Sequence, residues 1–269
     1  MRTENTSISL ADEKQVVREH FDRLSVTGDW SRLYTVTDSL SYHFHIRRLR
    51  VLELLPERLG RVADIGCGPG IMVEAVLKRG GTFDGVDLSL EMLREAAARF
   101  GRDSRVSFRQ DDVERLSLLS NAHDQVICMA VLEYLKSPDQ ALAEIARILC
   151  PGGVAVVTVP KQWHIDSVAL AVTAPIRAAA RAMGWGRADR LPRLRLQPQA
   201  LDKAARRAGL IPDGGSQYCF TPLPYPLTRL APALCMRCNV YFERFHQTRW
   251  AWLSFFAHGY VGRYRKPLT

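Results

Sequence analysis

One short stretch holds the residues whose types and spacing could do chemistry. Asp64-Ile65-Gly66-Cys67-Gly68-Pro69-Gly70 sets an acid ahead of a glycine turn, and Phe83-Asp84-Gly85-Val86-Asp87 ends on a second acid. Glycines let a ligand approach the backbone closely. An acid closing the next strand suits the two hydroxyls of a ribose. The spacing is G-x-G-x-G, not the G-x-G-x-x-G of dinucleotide sites, and no P-loop lysine follows. Neither arginine nor lysine sits beside Asp87 to receive a phosphate. The pattern therefore points to a ribose-bearing ligand without a pyrophosphate. A purely structural turn is the competing interpretation.

The elements that must position these residues can be read around them. Val62–Ile65 is a short apolar run, as for a strand buried on both faces. Ile71–Lys78 has helical apolar spacing and ends at Gly80-Gly81. Phe83–Val86 completes a βαβ unit, whose crossover is right-handed and parallel. Ser89 is placed to cap a helix over Leu90–Phe100. Val106–Gln110 and Gln125–Met129 read as strands three and four. Ala130–Tyr134 then forms a loop beyond a strand end, where ligands sit in open α/β sheets. Ser137-Pro138-Asp139-Gln140 has the form of a capping box with Pro at the first helical position. That helix runs to Leu149, Pro151-Gly152-Gly153 turns the chain, and Val154–Val159 is strand five.

Taken together, residues 60–160 resemble the class I S-adenosylmethionine (SAM) methyltransferases. Their first motif is similar to Asp64–Gly70 and their ribose acid corresponds to Asp87. The resemblance implies a doubly wound, mostly parallel seven-stranded sheet with N-terminal helices and a helical lid after strand five. It implies SAM as cofactor, held by Asp64, Gly66, Cys67, Gly68, Gly70 and Asp87. In the family a residue near Leu88 or Met92 packs on the adenine. An acid after strand three accepts a hydrogen bond from the adenine amino group. By its spacing Asp112 matches that acid, and Asp111 stands where a glycine is more usual, which leaves open which of the two reads adenine. Val113 and Met129 complete the expected cofactor set.

The flanks are less regular. A helix begins near Ala11 with Ser9 as its cap, and a second covers Tyr42–Leu55. Tyr42, His43 and His45 lie where similar methyltransferases close a segment over the cofactor; docking the helices on the sheet is an equal alternative. Lys161–Leu196 is too long for a plain connection and has helical character, as a substrate lid would. Gln199–Ala208 is the next helix and Gln217–Thr221 reads as strand six. Pro222, Pro224, Pro226 and Pro232 interrupt regular structure, and Trp252–Tyr260 is the best candidate for strand seven. The expected organisation is a helical cap over residues 1–58, a cofactor core over 59–160, and a lid completing the fold over 161–269.

Composition bounds the class. Residues 161–269 contain 17 Lys and Arg against 5 Asp and Glu, while the whole chain carries +9. The positive charge thus lies in the C-terminal part, which suggests an acidic partner, nucleic acid or anionic membrane surface, or simply a solvated face. The six cysteines show neither disulfide nor metal spacing, and Cys235-Met236-Arg237-Cys238 has no second pair. No signal core or membrane-length apolar run is present. A cytoplasmic protein with reduced thiols is expected, with peripheral membrane association open. Ile165, Val168, Ala169, Val172 and Ile176 would share a helix side followed by Arg177 and Arg181. Trp250, Trp252, Phe255, Phe256 and Tyr260 lie among Arg249, Arg263, Arg265 and Lys266, the composition of an interfacial segment.

No motif fixes the methyl acceptor. Strand four ends Cys128-Met129-Ala130-Val131, without the N-P-P-Y loop of amino-directed nucleic-acid enzymes, and no Pro-Cys nucleophile is present. Glu133, Tyr134 and His164 are candidate catalytic residues because their loops should open on the methyl. The resulting expectation is methyl transfer to a small aromatic or lipid-like acceptor, O-directed. An RNA or protein modifier using the basic C-terminal part is the alternative, although no nucleic-acid-binding module is recognisable.

Overall fold

The computed structural model describes residues 10–26, 33–34, 39–175, 178, 191, 193–223, 230–247 and 250–268. Ser9, Ile176, Arg177, Arg181, Pro224, Pro226 and Arg249 lie outside them. Among the described residues, α1 (Leu10–Val26) and α2 (Ser39–Leu54) precede the sheet. The cofactor core then runs β1 (Arg61–Ile65), α3 (Val73–Lys78), β2 (Thr82–Asp87), α4 (Leu90–Phe100), β3 (Val106–Gln110), β4 (His123–Cys128), α5 (Asp139–Ile148) and β5 (Leu149–Pro160). After it come α6 (Ile165–Val172), α7 (Pro198–Arg207), β6 (Ile211–Phe220), α8 (Pro232–Phe242) and β7 (Ala257–Arg265).

The strands form one seven-stranded sheet in the order β3-β2-β1-β4-β5-β7-β6. All neighbours are parallel except β7, which runs antiparallel to both β5 and β6. The order reverses between β1 and β4, so the crevice beyond their C-terminal ends is the place for a ligand. Alternation along the strands feeds two cores. Ala155, Val157 and Val159 of β5 enter one, with Ile145 and Leu201, and Val154 and Val156 enter the other, with Val51 and Val76. Fully burying a Val or Ile side chain is worth about 1.5–3 kcal/mol, so these two layers fix the strand register.

Several boundaries differ from the expectation. The helix expected from Ile71 starts at Val73, because Gly70–Met72 form the turn into it: Val73 N donates to Gly70 O at 3.2 Å. The capping box at Ser137 is not made. Pro138 is the N-cap residue, and Ser137 Oγ instead accepts from Asp139 N at 3.3 Å. Strand β5 begins at Leu149, not Val154. Lys266, just past β7, pairs the Pro-Gly-Gly turn into it: Gly152 N donates to Lys266 O at 3.0 Å and Lys266 N to Gly153 O at 2.9 Å. Strand β7 begins at Ala257, and Ala251–Ser254 is a helical turn. Glycines at 259 and 262 hid that strand, since their missing side chains make room for Tyr218 and Tyr264 and dilute the strand signal. On α6, Val168 and Val172 face outward and are exposed.

Candidate active site

The crevice at the β1–β4 reversal is a cleft of about 950 Å³, open solvent included. Of the residues predicted for the cofactor, it is lined by Gly66, Cys67, Gly68, Asp87, Leu88, Met92, Asp111, Asp112, Val113 and Met129. Gly70 lines a neighbouring hollow with Tyr34 and Arg48. Asp64 lies buried at the end of β1. The glycine turn has the conformation its sequence requires, with φ of 73°, 52° and 77° at Gly66, Gly68 and Gly70. Asp87 braces that turn. One carboxylate oxygen accepts from Gly68 N and the other from Ser89 N, both at 2.8 Å. Ser89 in turn caps α4, accepting from Met92 N at 3.2 Å.

The two acids after β3 have different surroundings. Asp111 accepts from both Ser117 N and Ser117 Oγ at 2.6 Å. Asp112 accepts from Glu114 N at 3.0 Å and pairs with Lys14 of α1 at 2.5 Å. Helix α1 therefore closes the cleft, contributing Lys14, Val17 and Phe21 to its lining, and Asp22 accepts from Ser89 Oγ at 2.5 Å. Tyr42 and His43, read from sequence as candidate cover, do something else. Tyr42 is a core residue and His43 packs its ring 5.2 Å from His258.

Electrostatics single out two groups. Burial, with Asp87 nearby as the smaller cause, pushes the Asp64 carboxyl from 3.8 up to about 8, and its Oδ1 has no hydrogen-bond partner. Arg47 of α2 is hydrogen-bonded to Tyr34, which lines the cleft. Its Nε and Nη2 are buried without a hydrogen-bond partner. Burial disfavours the charged guanidinium, but Tyr34, Tyr218 and Glu133 outweigh it and hold Arg47 protonated. Nε and Nη2 are the edge with which Arg105 grips both oxygens of Asp103, at 3.0 and 2.6 Å. A bare edge of this kind fits a two-oxygen anion. Sequence reading missed Arg47 and Lys14, because surface-type cations in amphipathic helices carry no motif.

On the acceptor side, Tyr134 lines the cleft and hydrogen-bonds Glu133, which is buried. Burial raises the Tyr134 phenol, so it stays protonated at neutral pH. Glu133 O accepts from Leu194 N at 2.7 Å, and Leu196 N donates to Pro160 O at 3.0 Å. This pins the end of the segment after β5 over the strand ends. His164 does not line the cleft; it is buried with its ring 4.3 Å from that of His258. Ala130 takes a left-handed φ of 61°, held by its N–H donating to Thr158 Oγ at 2.8 Å.

Comparison with known proteins agrees with this geometry. Residues 63–157, about a third of the chain, match the family model described as a methyltransferase domain. The chain is 36% identical over 116 residues to the ubiquinone biosynthesis O-methyltransferase of Paracidovorax citrulli, covering 38% of this chain and 48% of that protein. The chain thus spans about half the length of the curated relatives it matches. Among solved structures, a SAM-dependent methyltransferase from Mesorhizobium loti superposes with a TM-score of 0.55 at 19% identity, over 80% of this chain and 95% of that one. The cyclase SpnF superposes with a TM-score of 0.60 at 20% identity, over 95% and 97%. Residues 63–157 thus match a methyltransferase domain, and the chain shares its fold with SAM-dependent methyltransferases. That a cyclase shares the fold means the reaction has to be argued from the site.

Proposed function

We propose that the chain transfers the methyl group of SAM to a hydroxyl of a small aromatic or lipid-like acceptor. The observation that carries the cofactor half is a pair of buried groups with unsatisfied atoms just behind the cleft lining, Asp64 next to Ile65 and Gly66 and Arg47 behind Tyr34, while Asp87 lines the cleft itself. SAM bears an ammonium, a carboxylate and a ribose diol, and these three groups complement that trio in charge and hydrogen bonding. Leu88, Met92 and Val113 offer the apolar surface that an adenine needs, with Asp111 and Asp112 at its edge.

When bound, SAM supplies an electrophilic methyl on a sulfonium. The work left to the chain is to hold the acceptor in line and exclude water, which can remove roughly 7–11 kcal/mol of barrier. Helix α1 closes the cleft, and Met129, Val131, Leu135 and Tyr134 offer an acceptor mostly apolar contacts. Tyr134, protonated and hydrogen-bonded to Glu133, can accept a hydrogen bond from the acceptor hydroxyl, and the pair can pass that hydroxyl's proton on to Glu133 as the oxygen takes the methyl. The curated relatives named as ubiquinone biosynthesis O-methyltransferases support a hydroxyl acceptor. The test is a panel of catechols with and without an apolar tail, assayed for demethylated cofactor and methyl ether. Turnover of tailed catechols supports the reading, whereas methyl appearing only in RNA or protein would favour the basic C-terminal part as a macromolecule grip.

Two expected results follow from the unsatisfied groups. Asp64 carries its proton in the free chain below about pH 8. Its folded pKa exceeds its unfolded one, so its contribution to stability declines as pH rises from about 4 to about 8. An ammonium placed beside it favours the ionised form. SAM binding at pH 7 should therefore release close to one proton, and affinity should rise with pH towards 8. Calorimetry in two buffers of different ionisation enthalpy measures this; zero proton release contradicts the pairing. For Arg47, losing charge-assisted hydrogen bonds of about 1.5–3 kcal/mol each predicts that Arg47→Ala weakens SAM binding about ten- to a hundredfold. Arg47→Lys, keeping the charge without the fork, should restore little of it. Unchanged affinity in a folded Arg47→Ala chain would remove Arg47 from the site.

A further inference from the structure

Antiparallel neighbours such as β6 and β7 need a connection of only about two to five residues, yet residues 221–256 separate Phe220 from Ala257. This insertion is anchored from its inner side. Cys235 and Asn239 of α8 are buried, and so is Glu243 just beyond it. The Glu243 carboxylate accepts from Cys219 N at 3.4 Å and Phe220 N at 3.2 Å, and it faces Arg50 at 3.5 Å. Phe242 lies 6.2 Å from Phe256, which ties the helix to the entry of β7.

The outer side is built differently. Leu234, Arg237, Tyr241 and Arg244 follow the spacing of one helix face, and all four are exposed. The Arg244 guanidinium stands 4.6 Å over the Tyr241 ring. Trp250 and Trp252 stack at 6.2 Å, and each is 62% exposed. Glu243 is the sole acid in residues 221–256, and it is turned inward, whereas the insertion holds four arginines. Exposed apolar groups of this size mark an interaction surface. Tryptophan and tyrosine interleaved with arginine, with no outward acid, match the headgroup layer of a membrane. Among the described residues no helix is long and apolar enough to cross one.

We propose that the β6–β7 insertion docks the protein on the surface of an anionic bilayer, with the aromatic side chains in the headgroup layer and Arg237 and Arg244 on the lipid charges. The occupant is a bilayer and not a second protein because, among the described residues, the charged side chains this insertion exposes are all arginines. This inference is independent of the methyltransferase reading, since none of these residues lines the cleft.

The test is sedimentation of the full chain with phosphatidylcholine vesicles and with vesicles also containing phosphatidylglycerol. The chain should pellet with the anionic vesicles at low salt and be released as salt rises. Each cation at such a surface contributes about fivefold in affinity, so reversing two with Arg237→Glu and Arg244→Glu should cut retention by about thirtyfold or more. Trp250→Ala with Trp252→Ala should reduce it on the same vesicles. The melting temperature, measured in parallel, reports folding and should be nearly unchanged in every variant. Equal retention on neutral and anionic vesicles, or variants that bind like the parent, would overturn the proposal. So would a parent chain that stays in the supernatant; one that also ran as a larger species in gel filtration would assign the face to self-association.

Discussion

Asp87→Ala is expected to weaken SAM binding by about a hundredfold or more. Hydrogen bonds to a charged group contribute about 1.5–3 kcal/mol, and a ribose diol offers two. The structure adds a second reason. The same carboxylate accepts from Gly68 N and Ser89 N, so its loss also frees the glycine turn and the start of α4. Asp87→Asn separates the two effects, because the amide keeps one acceptor oxygen. It should recover part of the affinity and more of the thermal stability. Titration calorimetry on both variants, with melting temperatures, is the measurement. Parental affinity in a folded Asp87→Ala chain would mean that the cleft is not organised around this acid.

Gly66→Ala is expected to have the largest effect on the fold itself. Gly66 has a φ of 73°, and a β-carbon there would lie 2.1 Å from Val131 Cγ2. A left-handed conformation costs an L-residue roughly 1–2 kcal/mol, and overpacking adds about 1–3 kcal/mol. The sum, about 2–5 kcal/mol, is a large part of the stability of an ordinary domain. The collision also pushes the first glycine against the loop beyond β4, so the cofactor and acceptor sides are disturbed together. Denaturant unfolding should show a lower midpoint at unchanged slope. Gly66→Ala with Val131→Ala removes the clash but not the backbone strain, and should regain part of the loss. No recovery in the double variant would show that the contact with Val131 is not the cause.

Much of this site was legible in the sequence because its parts are local. The turn at Gly66–Gly70, the acid at Asp87 and the cap at Ser89 are each specified within a few residues of the groups they serve. Backbone conformation at glycine and hydrogen bonds to neighbouring N–H groups need no tertiary information. Strands β1, β4 and β5 were legible for a similar reason, being apolar runs buried largely on both faces, whereas the edge strand β3 showed only an alternation of half-buried and exposed residues. What was not legible depends on distant segments meeting. Arg47 becomes an unsatisfied buried cation only when α2 packs beside the loop holding Glu133, and Lys14 reaches Asp112 across the cleft. Strand β7 was misplaced because its glycines make room for tyrosine rings, Gly259 for Tyr218 of the neighbouring strand and Gly262 for Tyr264 of its own, so the strand lacks the apolar side chains that mark one. His164 looked like a cleft residue from its place after β5, yet it is buried against His258.

The most direct test of the central claim uses methyl-labelled SAM, the full chain and a cell extract separated into low-molecular-mass, lipid, protein and nucleic-acid fractions. Label is expected to enter the lipid or low-molecular-mass fraction, in a compound whose methyl sits on oxygen. Transfer should fall by about tenfold or more with Asp87→Ala at a SAM concentration equal to the parent's Kd. Label confined to protein or nucleic acid would contradict the small-molecule acceptor. No transfer to any fraction, from a chain that binds SAM, would contradict the methyltransferase reading itself.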